Sequence, residues 1–161
     1  FIDVINWVFG DFFNISSEFH TFNERQYVQF EDSGIINFNL NNALNDTDPI
    51  RAILTYSTCI WDKNFESSIT VIGQYGTIKI GGQYMDKIVY CDIKNYEHPN
   101  INMDIQCNDY GDYQGSASNH DKMINYVIEK LTSLEGTNRN YTSSDGVDVV
   151  SIIEKIYSSR N

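Results

Sequence analysis

The sequence predicts an α+β fold: an open, mainly antiparallel sheet with three helices on one face and the other face available for oligomerisation. Three observations carry this expectation. Strand-like runs succeed one another from Asn14 to about Asp109 without a helical pattern between them, so no crossover helices are there to build a parallel sheet. Helical periodicity is confined to the two ends of the chain. The segment 66–82 reads as a strand, a tight turn and a second strand, with Gly73 and Gly76 flanking Gln74-Tyr75.

The elements follow in order. Ile2, Ile5, Phe9 and Phe12 recur at i, i+3, i+7 and i+10, one helical face, and Gly10 is the stop signal. Strand-like runs lie at 15–22, 27–30, 35–40, 51–58, 68–72, 77–81 and 87–93, six or seven strands in all. Turn clusters at 32–34, 41–49 and 95–102 separate them. In the hairpin, Ile78 and Ile80 alternate with Thr77 and Lys79, the period of a half-buried strand. Ser118-x-x-Asp121 resembles a capping box, and Ile124, Val127, Ile128 and Leu131 form the stripe of the helix that follows. Gly136 and Asn138 break that helix. Another starts near Ser144-Asp145, with Val149, Ile152, Ile153, Ile156 and Tyr157 on one face.

A sheet covered by helices on one side has a second side. Ile35, Asn37 and Asn39 point opposite to Ile36, Phe38 and Leu40, so apolar residues occur on both parities. Residues such as Ile35, Thr70, Ile72 or Thr77, depending on strand register, are expected on the outer face, and a second copy of the chain is the expected cover.

Length and composition set the bounds. A chain of 161 residues has room for one domain with a core, and 41% hydrophobic with 14% aromatic residues excludes a disordered chain. The net charge of −11 argues against nucleic acid and against an anionic membrane surface, while leaving room for an anionic ligand in a locally basic pocket. No apolar run is long enough to span a membrane. The start shows neither a signal-peptide pattern nor an initiator Met, so the expectation is a cytoplasmic piece of a longer protein. Cys59, Cys91 and Cys107 are odd in number and contain no Cys-x-x-Cys, which fits a reducing compartment. His20, His98 and His120 lie far apart, so no metal site is expected. The sequons at Asn14, Asn45 and Asn140 carry little weight in a chain so rich in Asn.

The motifs of common chemistries are missing: no G-x-G-x-x-G, no P-loop, no G-x-S-x-G, no H-E-x-x-H. His120, at the start of the first tail helix, reads either as a surface histidine at a helix end or as a donor in a ligand cleft, where helix N-termini favour anions. Asp3 is either a surface acid or part of that cleft, and Tyr75 at the hairpin tip is either exposed or caps a neighbouring subunit.

Several segments together resemble one family. Phe1-Ile-Asp3-Val-Ile-Asn-Trp7-Val-Phe-Gly10-Asp resembles the helix that opens the C-terminal domain of glucose–fructose oxidoreductase/inositol dehydrogenase-like (Gfo/Idh/MocA) enzymes. Glu31-Asp-Ser-Gly34-Ile-Ile-Asn-Phe38 resembles that domain's glu-asp-thr-gly strand. Asn64 to Ile69, Gly73-Gln-Tyr-Gly76-Thr and Ile80-Gly-Gly82 resemble its central hairpin, and Ser118-Asn-His120-Asp-Lys-Met-Ile with Asp145-Gly146 to Ser158 its closing helices. The Ile-Gly-Gly and Asn-His-Asp-Lys details look most like the nucleotide-sugar branch, such as UDP-N-acetylglucosaminuronate 3-dehydrogenases.

The resemblance implies a role for the chain. Residues 1–161 would be a single C-terminal substrate and oligomerisation domain, with the N-terminal Rossmann domain absent from this chain. In the family that domain carries NAD(P) and a catalytic Lys, and the catalytic His lies three residues before the Asp matching Asp3, a position ahead of Phe1. The segment 41–48 is longer than the family's usual connection. The implied function is that of the substrate-side and assembly domain of an NAD(P)-dependent nucleotide-sugar oxidoreductase, inactive in isolation, forming homo-oligomers through the open sheet face. His120 and Asp3 would line the substrate cleft, with no catalytic, cofactor or metal residue in this chain. The alternative is a non-catalytic sugar-binding or oligomerisation module of a multidomain sugar-modifying protein.

Overall fold

The computed structural model describes residues 1–23, 30–41, 48–98, 107–109, 114–117, 120–132 and 143–160. They belong to two compact units, one made of Phe1–Cys59 with Asn138–Asn161 and the other of Ile60–Thr137.

The first unit starts with α1 (Ile2–Phe9) and continues through β1 (Phe12–His20), β2 (Ser33–Leu40) and β3 (Ile50–Ser57), which pair antiparallel in the order β1-β2-β3. Its last element is the chain's third helix, α3 (Ser143–Ser158). Strand alternation decides which side chains enter the core. In β2, Ile36, Phe38 and Leu40 are buried while Ile35 and Asn37 are exposed. Phe12 and Phe19 of β1 and Ile152 and Ile156 of α3 complete the buried set, with Ile2, Ile5 and Phe9 of α1 packed against it. Phe12 stacks on Phe38 at 4.4 Å between ring centroids. Burying such side chains contributes about 1.5–3 kcal/mol each, which makes this cluster the main stabilising element of the unit.

Two details fix the edges of that sheet. Ser17 of β1 is fully buried, its hydroxyl donating to the Ile156 carbonyl at 2.7 Å, and its N–H donates to the Ser159 carbonyl at 3.3 Å. The end of α3 is thereby tied to the sheet edge. Gly10 ends α1 at φ +90°, a conformation that glycine adopts without a Cβ penalty, and its N–H caps the Asn6 carbonyl at 2.9 Å.

The second unit holds β4 (Ile69–Gly73), β5 (Gly76–Gly81) and β6 (Lys87–Ile93) in an antiparallel sheet, then the ribbon of β7 (Cys107–Asp109) and β8 (Gln114–Ala117), then α2 (His120–Thr132). Gly73 pairs with Gly76, so Gln74-Tyr75 is the two-residue turn that the flanking glycines imply. A Cβ on Gly76 would lie 2.6 Å from the Asp92 carbonyl oxygen and from the Ile93 Cα, which explains the glycine at that crossing. Lys79 and Glu66 pair at 2.8 Å next to Gly81, where a Cβ would lie 3.0 Å from Glu66 Oε1.

The class is α+β with open antiparallel sheets, as the sequence predicts, and the described strands are divided between two three-stranded sheets and a ribbon. Element limits differ where local geometry hides them. Phe12, assigned by spacing to the first helix, opens β1, because the helix stops at Gly10. β1 starts three residues earlier than its alternation suggests, since a bulge with Asn14 at φ +50° shifts the parity between Phe13 and Ser16. Ser33 and Gly34 read as a turn but pair with Ser57 and Tyr56 inside the sheet. The run 27–30, apart from Phe30, and Ser118, Gly136 and Asn138 lie outside the described residues. Among the described residues, no helix is long and apolar enough to cross a membrane.

Candidate functional site

The first unit contains a cleft whose polar end is one carboxylate and two phenols. Glu31 immediately precedes the Asp32 bend that leads into β2, Tyr56 lies near the end of β3, and Tyr157 sits in the last turn of α3. Tyr56 Oη donates to Glu31 Oε1 at 3.1 Å, and Tyr157 Oη donates to the same oxygen. The cavity in front of them is about 410 Å³, walled by Ile2, Phe19, Phe30, Ile36, Ile153 and Ile156. Tyr157 also stacks on Phe19 at 5.0 Å.

Sequence detail makes this arrangement possible. The side of β3 that carries Ala52, Leu54 and Tyr56 is the core side, so Tyr56 reaches inward over β2. The ring crosses Gly34, its partner in the ladder, where a Cβ would come within 2.6 Å of Tyr56 Cε1 and 3.0 Å of Phe19 Cδ1. Any larger residue at Gly34 would push Tyr56 off Glu31. The four residues Glu31-Asp-Ser-Gly34 thus divide the work: an acceptor for two phenols, a turn clamp, a strand residue and a gap for a ring.

The clamp is Asp32. Its carboxylate accepts the Phe22 N–H at 3.0 Å, the Asn23 N–H at 2.8 Å and the Ser33 hydroxyl at 3.1 Å. Its own N–H donates to the His20 carbonyl at 3.1 Å, and its carbonyl accepts the Thr58 N–H at 2.7 Å. One residue therefore joins the ends of all three strands. The backbone N–H of Asn23, helped by those of Phe22 and by the Cys59 and Ser33 side chains, outweighs desolvation and holds its carboxyl at about 2, against an ordinary 3.8.

Charge at the cleft follows the same logic. Burial pushes the Glu31 carboxyl up, but hydrogen bonds from Tyr157, from its own backbone and from Tyr56, together with the Arg160 charge, outweigh this and leave it below its usual value. Both phenols are raised: Tyr56 chiefly by burial and then by Glu31, Tyr157 chiefly by its hydrogen bond to Glu31. At neutral pH the cleft therefore presents an ionised carboxylate and two neutral phenols whose protons are committed to it.

The residues expected from the sequence lie elsewhere. Asp3 is exposed in the first turn of α1; it does not line the cleft, although its neighbour Ile2 does. His120 is the exposed first residue of α2, with Asp121 in the same turn. The two belong to different units. Tyr75 is exposed at the hairpin tip, where Lys94 Nζ lies 5.6 Å from its ring centroid. Glu31, Tyr56 and Tyr157 carry no signal as a site in the sequence beyond the position of Glu31 in the motif. Among the described residues, no three His, Cys, Asp or Glu gather as a metal-ligand set. Among the described residues every strand ladder is antiparallel and no glycine-rich strand end leads into a helix, so these residues do not fit a dinucleotide of the usual kind and no step through a nicotinamide is assigned to them.

No protein-family model matches the sequence, and no curated relative does. Solved structures do match. The WlbA dehydrogenase of Bordetella pertussis, determined in complex with NADH and UDP-GlcNAcA, superposes with a TM-score of 0.69 at 18% identity, over 98% of this chain and 39% of that one. The WlbA dehydrogenase of Chromobacterium violaceum, also with NADH and UDP-GlcNAcA, gives a TM-score of 0.70 at 18% identity, over 98% of this chain and 40% of that one. The chain therefore spans about two fifths of the length of these dehydrogenases and has the fold of that part, the fold that its resemblance to the Gfo/Idh/MocA C-terminal domain implies.

Proposed function

We propose that this chain is the substrate-side and assembly domain of an NAD(P)-dependent nucleotide-sugar oxidoreductase. The observation that carries the reading is the fold match over 98% of the chain to two dehydrogenases determined with NADH and UDP-GlcNAcA. The order of the motifs along the sequence supports it as well. Surface chemistry supports it too. Val4, Trp7 and Val8 on α1 are exposed, Trp7 at 83%, and such side chains are expected to be covered by another part of the polypeptide. The cofactor, NAD or NADP, would be held outside these residues, so the 161 residues alone are expected to reduce none.

In this reading His120 and Asp3 line the substrate cleft of the parent protein. His120 stands in the first turn of α2, where backbone N–H groups and the helix dipole favour an anionic group such as a diphosphate or a uronate. In the intact parent protein, His120→Ala should weaken nucleotide-sugar binding and leave the circular dichroism spectrum unchanged. Equal affinity of the two proteins would leave His120 as a surface residue. Assembly would use the sheet face away from the helices in the first unit and exposed residues of β4 in the second. In the first unit that face carries Ile35 and Ile53, the latter 70% exposed, among Asn37 and Thr55. In the second unit Thr70 and Ile72 are exposed, and Ile72 faces Thr77 across the ladder.

A further inference from the structure

The cleft at Glu31 offers acceptors where a nucleotide sugar would need donors. Both phenol protons are directed at Glu31 Oε1, which leaves phenol lone pairs and a carboxylate facing a cavity of about 410 Å³. The remaining wall is apolar, formed by Ile2, Ile36, Ile153 and Ile156 with Phe19 and Phe30. An anion entering this space would meet the Glu31 charge and be repelled. A cation would be attracted by the carboxylate, while an apolar body attached to it would lie against the apolar wall.

We propose that this cleft binds a small organic cation, a protonated amine carried on an aromatic or aliphatic body. The chain already shows the chemistry at the rim, where Arg160 Cζ lies 5.8 Å from the Phe19 ring centroid. The Arg160 guanidinium competes for the same negative charge without lining the cavity. The lining includes neither Asp3 nor His120, and the proposal does not depend on the nucleotide-sugar reading, because its charge preference is the opposite.

The test is a titration of the 161-residue chain with phenethylammonium chloride, followed by NMR shifts of Tyr and Phe ring protons and by calorimetry. Saturable binding with a dissociation constant of about 1 mM or tighter is expected. The neutral isostere 2-phenylethanol should bind at least about tenfold more weakly, because it lacks the charge. Glu31→Gln, which keeps an acceptor for both phenols, should weaken the ammonium at least about tenfold with an unchanged circular dichroism spectrum. Arg160→Gln should strengthen binding by about two- to threefold by removing the competing cation. No saturation by about 20 mM, or equal affinity for the neutral isostere, overturns the proposal. If Glu31→Gln fails to fold, the comparison of ammonium and alcohol on the unaltered chain still decides.

Discussion

Replacing Gly34 with alanine tests the cleft where it is tightest. The added methyl would stand 2.6 Å from Tyr56 Cε1 and 3.0 Å from Tyr56 Cζ and Phe19 Cδ1, against a normal carbon contact of about 3.5–4.0 Å. Relief requires a ring to move. Phe19 is 8% exposed and packed in the core, so Tyr56 must yield, and its hydroxyl is held by Glu31 at 3.1 Å. Overpacking of this kind costs about 1–3 kcal/mol. Loosening a hydrogen bond to a charged group costs up to about 1.5–3 kcal/mol, taken at the low end because Glu31 is only half-buried and keeps Tyr157. Alanine recovers about 0.5–1 kcal/mol of backbone entropy relative to glycine. The net expectation is a loss of about 2–3 kcal/mol, a fall in melting temperature of about 4–12 °C for a chain of this length. Urea unfolding followed by far-ultraviolet circular dichroism measures it. In a Tyr56→Ala background the same substitution should cost less than about 1 kcal/mol, since the obstructing ring is gone. A single-mutant effect within about 0.5 kcal/mol of zero, or the same cost in both backgrounds, would refute the packing argument.

The pH dependence and the assembly state give two further checks. Asp32 has a folded value of about 2 against an ordinary 3.8, so its stabilisation is fully present above pH 3.8 and is lost as the pH falls through about 2; Asp32→Asn should flatten the stability profile in that window, and an NMR titration midpoint near 3.8 would contradict the clamp. Light scattering at micromolar concentration should find at least a dimer despite the charge of −11, and Ile53→Glu should dissociate it without unfolding, whereas a monomer of 18.6 kDa would remove the sheet face as an assembly surface.

How much of this was readable from sequence depended on distance along the chain. The β4–β5 turn lies within a few residues of its signals, so Gly73 and Gly76 set it locally. The α3 stripe was equally legible, and Ile152 and Ile156 occupy the core as their spacing requires. The stripe of α2 forms a helical face, but Ile124, Val127, Ile128 and Leu131 are exposed, because periodicity reports amphipathicity and not what covers it. The bulge at Asn14 was hidden because its effect is a parity shift rather than a breaker residue. The Glu31 cleft was hidden for a different reason: it joins residues 25 and 126 positions apart, and only the folded sheet and α3 bring them together. The ribbon of β7 and β8 has strands of three and four residues, too short for an alternation signal.

The most direct test of the central reading is a cofactor assay on the complete polypeptide that contains these residues, run beside the 161-residue chain. UDP-GlcNAcA is supplied with NAD⁺ or NADP⁺, and reduction of the nicotinamide is followed at its absorbance band. The account predicts reduction by the complete polypeptide and none by the chain alone. A complete polypeptide that binds neither cofactor and reduces none with UDP-GlcNAcA or related nucleotide sugars would contradict it, and would favour a non-catalytic sugar-binding or oligomerisation module.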